Sequence, residues 1–315
     1  MHMEYIKGFT FGWMSGRGDF RKPEAKESLR LMAERTGSSH VIFALAAHQD
    51  HPQAVEVKYQ GEHMVEDDEL VEMIRYARKI GLRVILKPTV NCTDGTWRAH
   101  INFFDIDVPC EPKWKDWFHS YTQYQRHYAA IAEQERCEMF IVGCEMVQAE
   151  RRSEEWREVI AAVREVYSGL VSYNTDKYQE GHVKWWDAVD VISSSGYYPI
   201  GDWEAQLDRI EQEIAPYGKP FFFAEAGCPS RSGSAQVPND WGLVGEVSAE
   251  EQERFYEAMF RHASQRDWVR GFGLWDWSAQ LHQESNAMAD DGYGVYGKPA
   301  EKVIRRFYEG IGVKV

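Results

Sequence analysis

The chain has 315 residues, of which 43% are hydrophobic, and its 36 basic and 50 acidic residues give a net charge of -14. A mean hydropathy of -0.54 and the lack of an 18-residue apolar stretch argue against a membrane span. The negative charge would repel a phosphate backbone, so nucleic acid is not expected as a partner.

Strand-like and helix-like segments alternate along the whole chain. Short apolar runs predict eight strands, at about 4–13, 39–46, 82–88, 138–145, 169–173, 188–195, 220–225 and 270–275. Amphipathic patterns predict helices at about 23–36, 66–80, 114–134, 152–166, 203–217, 249–265 and 298–309, with only a short one near 177–184. Pro23 suits the first position of its helix, and Ser153 and Ser248 are expected to cap two others.

The length fits one large α/β barrel or two ordinary domains, and the eight βα repeats favour the first. They predict a (β/α)8 TIM barrel, as a single catalytic domain over residues 1–315. An open doubly wound sheet is disfavoured because the segment after Gly271-Phe272-Gly273 lacks the rest of a dinucleotide fingerprint. In a barrel the active site lies at the carboxyl ends of the strands. Those ends carry Trp13, His48, Lys87, Asn91, Glu145, Tyr173, Asn174, Tyr197, Glu225 and Trp275.

Two glutamates, Glu145 and Glu225, each close a short apolar run. Burial of a carboxylate costs free energy unless the group has a partner, so a glutamate at such a position belongs to a functional site more often than to the surface. The plainer alternative is that each glutamate caps a helix or pairs with arginine. At the ends of strands four and seven the two would face each other across the barrel mouth, as hydrolysis of a glycosidic bond requires. A separation of about 5 Å would give retention, and roughly 6.5–9.5 Å would give inversion.

Aromatic residues are abundant, with 12 Trp, 16 Tyr and 15 Phe. Clusters such as Trp185-Trp186, Tyr197-Tyr198 and Trp275-Asp276-Trp277 suit sugar rings, which stack on aromatic faces and hydrogen-bond at their rims. The long loops 89–113 and 226–248 are expected to shape a cleft above the barrel. They contain Trp97, His100, Asn102, Asn239 and Trp241.

Other candidate sites have weaker support in the sequence. Glu150 is interpreted as an acid of a loop or helix start. Asp276 and Asp290-Asp291 could border a sugar subsite or hold Ca²⁺, but a surface position is favoured. His48 and His51 do not have the helical spacing of a zinc motif, and no G-x-S-x-G elbow occurs. Neither a metal nor another cofactor is expected.

The cysteines indicate the cellular compartment in which the protein is expected. Five of them at wide spacings, without a CxxC pair, predict free thiols in a reducing environment. The first residues lack the basic stretch and apolar core of a secretory signal, so a cytoplasmic protein is expected. The oligomeric state is not predicted.

Three segments carry a family resemblance. They are Lys7-Gly8-Phe9-Thr10-Phe11-Gly12-Trp13, Val142-Gly143-Cys144-Glu145-Met146 and Phe223-Ala224-Glu225-Ala226-Gly227. With a tyrosine after strand six and a tryptophan ending strand eight, the whole chain resembles the clan A retaining glycoside hydrolases. It is most similar to glycoside hydrolase family 113, whose characterised members are β-1,4-mannanases.

The resemblance implies roles for individual residues. Glu145 would be the acid/base and Glu225 the nucleophile, with Tyr197 or Tyr198 bonding to the nucleophile and Trp275 forming the floor under the reacting sugar. One departure is Cys144, where many clan members have asparagine to hold the sugar 2-hydroxyl. That contact is then expected from Asn174, Asn91 or Lys87, and Trp13 and Trp277 complete the expected substrate-binding residues.

The expected substrate is therefore a β-1,4-mannan or manno-oligosaccharide. A retaining β-glycosidase acting on xylan, glucan or amino-sugar oligosaccharides is one alternative. A non-catalytic sugar-binding barrel is another.

Overall fold

Eight parallel strands close into one barrel, in the order β1 to β8, in a computed structural model that describes residues 3–311. The predicted TIM barrel is confirmed. Residues 1–2 and 312–315, the ends of the predicted domain, lie outside the described residues, and the single-domain boundary stays a prediction. The strands are β1 (Ile6–Phe11), β2 (His40–Gln49), β3 (Arg83–Cys92), β4 (Met139–Cys144), β5 (Leu170–Thr175), β6 (Val191–Gly196), β7 (Phe221–Ala226) and β8 (Val269–Trp277).

The long helices lie where their amphipathic patterns predict them. They are α1 (Pro23–Thr36), α2 (Asp67–Lys79), α3 (Trp114–Gln134), α4 (Ser153–Arg164), α5 (Trp203–Ile214), α6 (Ala249–Ala263) and α7 (Pro299–Gly310). Ser248 caps α6, because its side chain accepts from the backbone N–H of Glu251. Ser153 does not cap α4, since it is already the first helical residue. The short helix predicted near 177–184 is wrong: that segment forms turns, followed by a 3-10 turn at Trp186–Ala188. No helix within residues 3–311 has both the length and the apolar character needed to cross a bilayer.

Two apolar layers hold the barrel together. One is a cluster of strand residues alone, which fills the barrel interior: Ile6, Ile42, Ile85, Met139, Ile141, Val191, Phe222 and Ala224. The other lies between the strands and the surrounding helices and includes Leu29, Trp156 and Trp203. Further along the same strands, toward their carboxyl ends, the buried side chains become polar: Lys87, Asn174, Ser193 and Ser195. The barrel therefore has an apolar base and a polar mouth.

Irregular pairing turns key side chains toward the mouth. Ser194 pairs with Phe223, but Ser195 pairs with Glu225, so β7 has one extra residue there. Strict alternation would keep Phe222 and Ala224 inside and send Glu225 outward, and the β-bulge reverses this. The register of β4 against β5 shifts in the same way between Ile141 and Cys144.

Candidate active site

A cavity of about 460 Å³ opens at the carboxyl ends of the strands. Six of the predicted site residues line it: Trp13, Asn91, Glu145, Tyr197, Glu225 and Trp275. Trp97, Asn239 and Trp241 from the two long loops also reach it. His100 points to solvent, and Asn102 instead accepts a hydrogen bond from Arg151. Aromatic rings therefore surround two carboxylates at the end of the barrel where catalytic groups are expected.

Three donors hold the carboxylate of Glu225. Lys87 Nζ donates to Oε1 at 2.5 Å, the Cys144 thiol lies 3.3 Å from the same oxygen, and the Tyr197 hydroxyl donates to Oε2 at 2.9 Å. Burial raises the pKa of Glu225, but the charge and hydrogen bond of Lys87 outweigh it, with help from Arg98 and Cys144, so the net pKa is lowered. Glu225 is thus held as a carboxylate, the form that a nucleophile needs.

Glu145 is the first residue after β4, with a positive φ of 53°. Its backbone N–H donates to the carbonyl of Asn174 at 2.7 Å. On the side chain, Ser195 Oγ donates to Oε1 at 2.7 Å, while Arg98 Nη1 (3.0 Å) and Trp97 Nε1 (3.3 Å) donate to Oε2. Left-handed backbone is uncommon outside glycine and asparagine and clusters at functional sites. Here it occurs in a residue that is only 7% exposed.

The spacing of the two glutamates bears on stereochemistry. One carboxylate oxygen of each, together with Cys144 Sγ, lies within 4.8 Å of the others. This is shorter than the roughly 6.5–9.5 Å that leaves room for water in an inverting enzyme, and it fits the ~5 Å of a retaining one.

The same three groups are a possible metal-ligand set, but their surroundings oppose a cation. Lys87 and Arg98 already neutralise the two carboxylates. Burial raises the pKa of Cys144 well above its usual range, so the sulfur remains a thiol. The arrangement suits nucleophilic and acid/base chemistry better than metal binding.

Sequence reasoning missed two residues that contact Glu145. Arg98 belongs to the loop after β3 and also donates to the carbonyl of Val90 and to Asn91 Oδ1. Ser195 is fully buried in β6 and accepts from the Asn174 amide at 3.1 Å. The run Ser193-Ser194-Ser195 within a buried strand was the available signal, because buried hydroxyls need partners.

Three predicted substrate contacts are corrected by the structure. Tyr198 is fully buried, donates to Glu180 and packs against Trp203 behind the strands. Trp277 donates to Ser28 Oγ in the helix layer, because the register between β1 and β8 shifts just before it. The amide of Asn174 donates to the Thr175 carbonyl and to Ser195 Oγ. None of these three side chains lines the cavity.

Two other carboxyl groups near the mouth have a raised pKa. Asp176 lines the cavity, and burial together with the charge of Glu145 raises its pKa to about 7. Glu150 lies in the turn before α4, as predicted, but it is buried. Burial raises its pKa to about 8, against the opposing hydrogen bonds from Thr175 and Tyr173.

Known proteins share both this fold and this sequence pattern. The family model of Glycoside Hydrolase Family 113 matches residues 9–298. A solved structure described as a complex of a family 113 β-1,4-mannanase is 64% identical, with a TM-score of 0.97, and the match covers 98% of this chain and 99% of that one. The family 113 β-mannanase AaManA from Alicyclobacillus acidocaldarius is 44% identical, with a TM-score of 0.95 over the same shares.

More distant structures share the fold alone. A β-D-glucuronidase from Dictyoglomus thermophilum is 17% identical, with a TM-score of 0.67, and the match covers 98% of this chain but 51% of that one. No curated protein sequence matches the chain.

Proposed function

The chain belongs to glycoside hydrolase family 113, and from this premise we propose that it hydrolyses β-1,4-linked mannan and manno-oligosaccharides with retention of anomeric configuration. The observation that carries the retaining mechanism is the short separation of Glu145 and Glu225, whose nearest oxygens lie within 4.8 Å. The substrate rests on the family and on the 64% and 44% identical relatives described as β-mannanases.

In the first step Glu225 is the nucleophile. Its carboxylate oxygen attacks the anomeric carbon, the glycosidic C–O bond breaks, and the leaving oxygen takes a proton from Glu145. Tyr197 and Lys87 hold the two oxygens of Glu225 and so fix its direction of attack. The product is a glycosyl ester on Glu225, together with the free leaving sugar.

In the second step Glu145 acts as the base. It takes a proton from water, the water oxygen attacks the anomeric carbon, and the ester bond to Glu225 breaks to restore the carboxylate. Two inversions at the same carbon give overall retention. Ser195 and Arg98 each bind one oxygen of Glu145 and keep the carboxyl group in place between the two steps.

The sugar 2-hydroxyl needs a partner other than the residue before the acid/base. The Cys144 thiol is directed at Glu225 and at Asn174 Oδ1, and Asn174 is fully buried and does not line the cavity. Asn91 does line the cavity, and Arg98 binds its carbonyl oxygen, which leaves its NH₂ group for a ligand. We therefore assign the hydrogen bond to the sugar 2-hydroxyl to Asn91. Lys87 belongs to the same strand, β3.

Hydrolysis of mannohexaose, xylohexaose and cellohexaose tests the proposal, with products separated by chromatography and their initial anomer read by NMR. We expect mannohexaose to be cleaved with the β-anomer formed first, and Glu225→Gln to abolish turnover. An α-anomer would overturn retention, and cleavage of xylohexaose or cellohexaose alone would overturn the mannan assignment. Oligosaccharide binding without turnover by the wild type would favour a non-catalytic barrel.

We place this activity in the cytoplasm. All five cysteines are free thiols, and Cys110 is exposed, which fits a reducing compartment. Fractionation of cells that express the native gene, followed by immunoblotting, tests this placement; recovery in the medium would contradict it.

A further inference from the structure

The hydrogen bonds of Glu145 favour its ionised form. Ser195 Oγ donates to Oε1, and Arg98 Nη1 and Trp97 Nε1 donate to Oε2. Three donors, one of them a cation at 3.0 Å, stabilise a carboxylate more than a carboxylic acid. The first step of the proposed reaction needs the acid, because Glu145 must give a proton to the leaving oxygen. A group close to Glu145 therefore has to hold that proton until the step begins.

A third carboxyl group, that of Asp176, lies beside Glu145. Glu145 is the first residue after β4, and Asp176 is the first residue after the neighbouring strand, β5. The two strand ends are in register, because Cys144 pairs with Asn174 and the Glu145 backbone N–H donates to the Asn174 carbonyl at 2.7 Å. Both acidic residues line the catalytic cavity, and each is 7% exposed. Their carboxyl groups therefore share one nearly buried environment.

Cationic side chains face the three carboxyl groups of the barrel mouth at unequal distances. The closest contacts are Lys87–Glu225 (2.5 Å), Arg98–Glu145 (3.0 Å) and Lys177–Asp176 (3.7 Å). The last distance is too long for a hydrogen bond, so Asp176 has the weakest of these cationic partners. An ionised Asp176 is accordingly less stabilised than an ionised Glu145.

Negative neighbours also favour a proton on Asp176. Burial and then the charge of Glu145 raise the pKa of Asp176 to about 7, and Glu180 adds to the effect. The charge of Lys177 and a hydrogen bond from its backbone N–H oppose this rise. Glu150 lies close enough to Asp176 for their charges to interact as well. Near neutral pH the proton in this part of the cavity is therefore held by Asp176, beside an ionised Glu145.

We propose that Asp176 and Glu145 share one proton, and that Asp176 delivers it to the acid/base before the glycosidic bond breaks. The proton leaves an oxygen of Asp176 and binds an oxygen of Glu145, which then gives it to the leaving sugar. In the second step Glu145 takes a proton from water and returns it to Asp176, so one turnover restores both groups. Asp176 touches no reacting atom and acts through Glu145, so it is a positioning residue. The proposal rests on the proposed function and extends its proton transfer.

The dependence on the leaving group tests the shared proton. A sugar leaves mannohexaose as an alcohol and needs an acid, whereas 2,4-dinitrophenyl β-mannoside releases a stable phenolate without one. We expect Asp176→Asn to lower kcat/KM for mannohexaose at pH 7 by about tenfold or more. The same variant should leave kcat/KM for the aryl mannoside unchanged, which would also show that the nucleophile and the fold are intact.

The pH profile gives a second readout. Removal of the negative charge of Asp176 stabilises an ionised Glu145, so the acid/base loses its proton at lower pH. The basic limb of kcat/KM for mannohexaose should then move to lower pH by about one unit in Asp176→Asn. Lys177→Met should move it the opposite way, because a positive charge beside the pair is lost. Asp208→Asn, at an exposed aspartate on α5, is the control. The other charged groups around the pair stay unchanged in these variants: Arg98, Glu225, Lys87, Glu150 and Glu180.

The outcomes separate the shared proton from the function. An unchanged basic limb in Asp176→Asn, or an equal loss of kcat/KM on both substrates, would overturn the shared proton and leave the proposed function intact. Asp176→Ser removes the carboxyl group in a different way and should reproduce the result of Asp176→Asn. A wild-type enzyme that hydrolyses neither substrate would overturn the function and the shared proton with it.

Discussion

Lys87 Nζ lies 2.5 Å from Oε1 of Glu225, and both side chains are buried at the mouth of the barrel. The ion pair places a fixed positive charge beside the nucleophile. It keeps Glu225 ionised in a site where burial alone would favour the neutral acid. When the sugar ester forms, Glu225 loses its negative charge, and the positive charge of Lys87 is left without its partner. Hydrolysis of the ester restores the carboxylate and the ion pair, so Lys87 favours this step.

Lys87→Met should therefore change the pH dependence of activity. In the wild type the pKa of Glu225 is lowered, so the nucleophile is ionised down to low pH; without Lys87 the burial effect dominates and this pKa rises. We expect the acid limb of kcat/KM for 4-nitrophenyl β-mannoside to move to higher pH, with activity at neutral pH reduced about 100-fold or more. Lys115→Met, at an exposed lysine, is the control, and an acid limb left in place would contradict this role.

The same lysine links activity to stability. A carboxyl group with a lowered folded pKa stabilises the fold above its unfolded pKa, and this contribution disappears as pH falls through the folded pKa. Removal of Lys87 leaves a buried charge without its partner, which costs on the order of 3–5 kcal/mol. Chemical denaturation at pH 7 should show a loss of that size in the free energy of unfolding of Lys87→Met relative to the wild type. A loss below about 1 kcal/mol, which is typical of an exposed ion pair, would contradict this prediction.

The sequence predicted the fold better than the details of the site. Strand and helix positions followed from the periodicity of apolar residues, since the apolar side of each segment has to face the core. The orientation of strand-end residues did not, because one extra residue reverses every side chain after it. Trp275 and Trp277 are both expected substrate-binding residues, yet the shift in β8 sends Trp277 to the helix layer.

Loop residues were hardest to assign. Arg98 reaches Glu145 from the segment between β3 and α3, where no periodicity marks which side chain points inward. The loop tryptophans Trp97 and Trp241 could be assigned to the cleft by residue type alone. The contacts of an arginine depend on the conformation of the whole loop.

Azide rescue should separate the roles of the two glutamates. In Glu145→Ala the ester can still form from a substrate with a good leaving group, and azide in place of base-activated water should restore turnover and give a β-mannosyl azide. In Glu225→Ala azide takes the place of the nucleophile and should give the α-mannosyl azide. Product NMR distinguishes the anomers. Reversed products would exchange the assigned roles, and Glu154→Ala, at an exposed position on α4, should behave as the wild type.

Ser195 should be a positioning residue for the acid/base. Its hydroxyl donates to Glu145 Oε1 at 2.7 Å and accepts from the Asn174 amide, so Ser195→Ala removes a link between the strands as well as a donor. We expect kcat for mannohexaose to fall about tenfold with little change in KM, the size of one hydrogen bond to a charged group. Ser264→Ala, at an exposed serine at the end of α6, is the control. A change confined to KM would instead assign Ser195 to substrate binding.

Glu150 predicts how stability depends on pH. Its Oε1 accepts from Tyr173 and Thr175, while Oε2 has no hydrogen-bond partner in the described part of the chain. Because burial raises its pKa to about 8, the folded protein binds a proton here that the unfolded chain releases near pH 4.5. Stability from this group is therefore complete at low pH and declines as pH rises toward and through about 8.

Glu150→Gln removes the ionisable group but retains an acceptor for Tyr173 and Thr175. The variant should gain stability relative to the wild type between pH 5 and pH 9 by on the order of 3 kcal/mol. Thermal unfolding of both proteins across that range measures the difference, with Glu154→Gln as an exposed carboxyl control. A constant difference in Tm at all pH values would show that Glu150 does not change its protonation on unfolding. In that case another contact, and not a bound proton, would offset the cost of burying its carboxyl group.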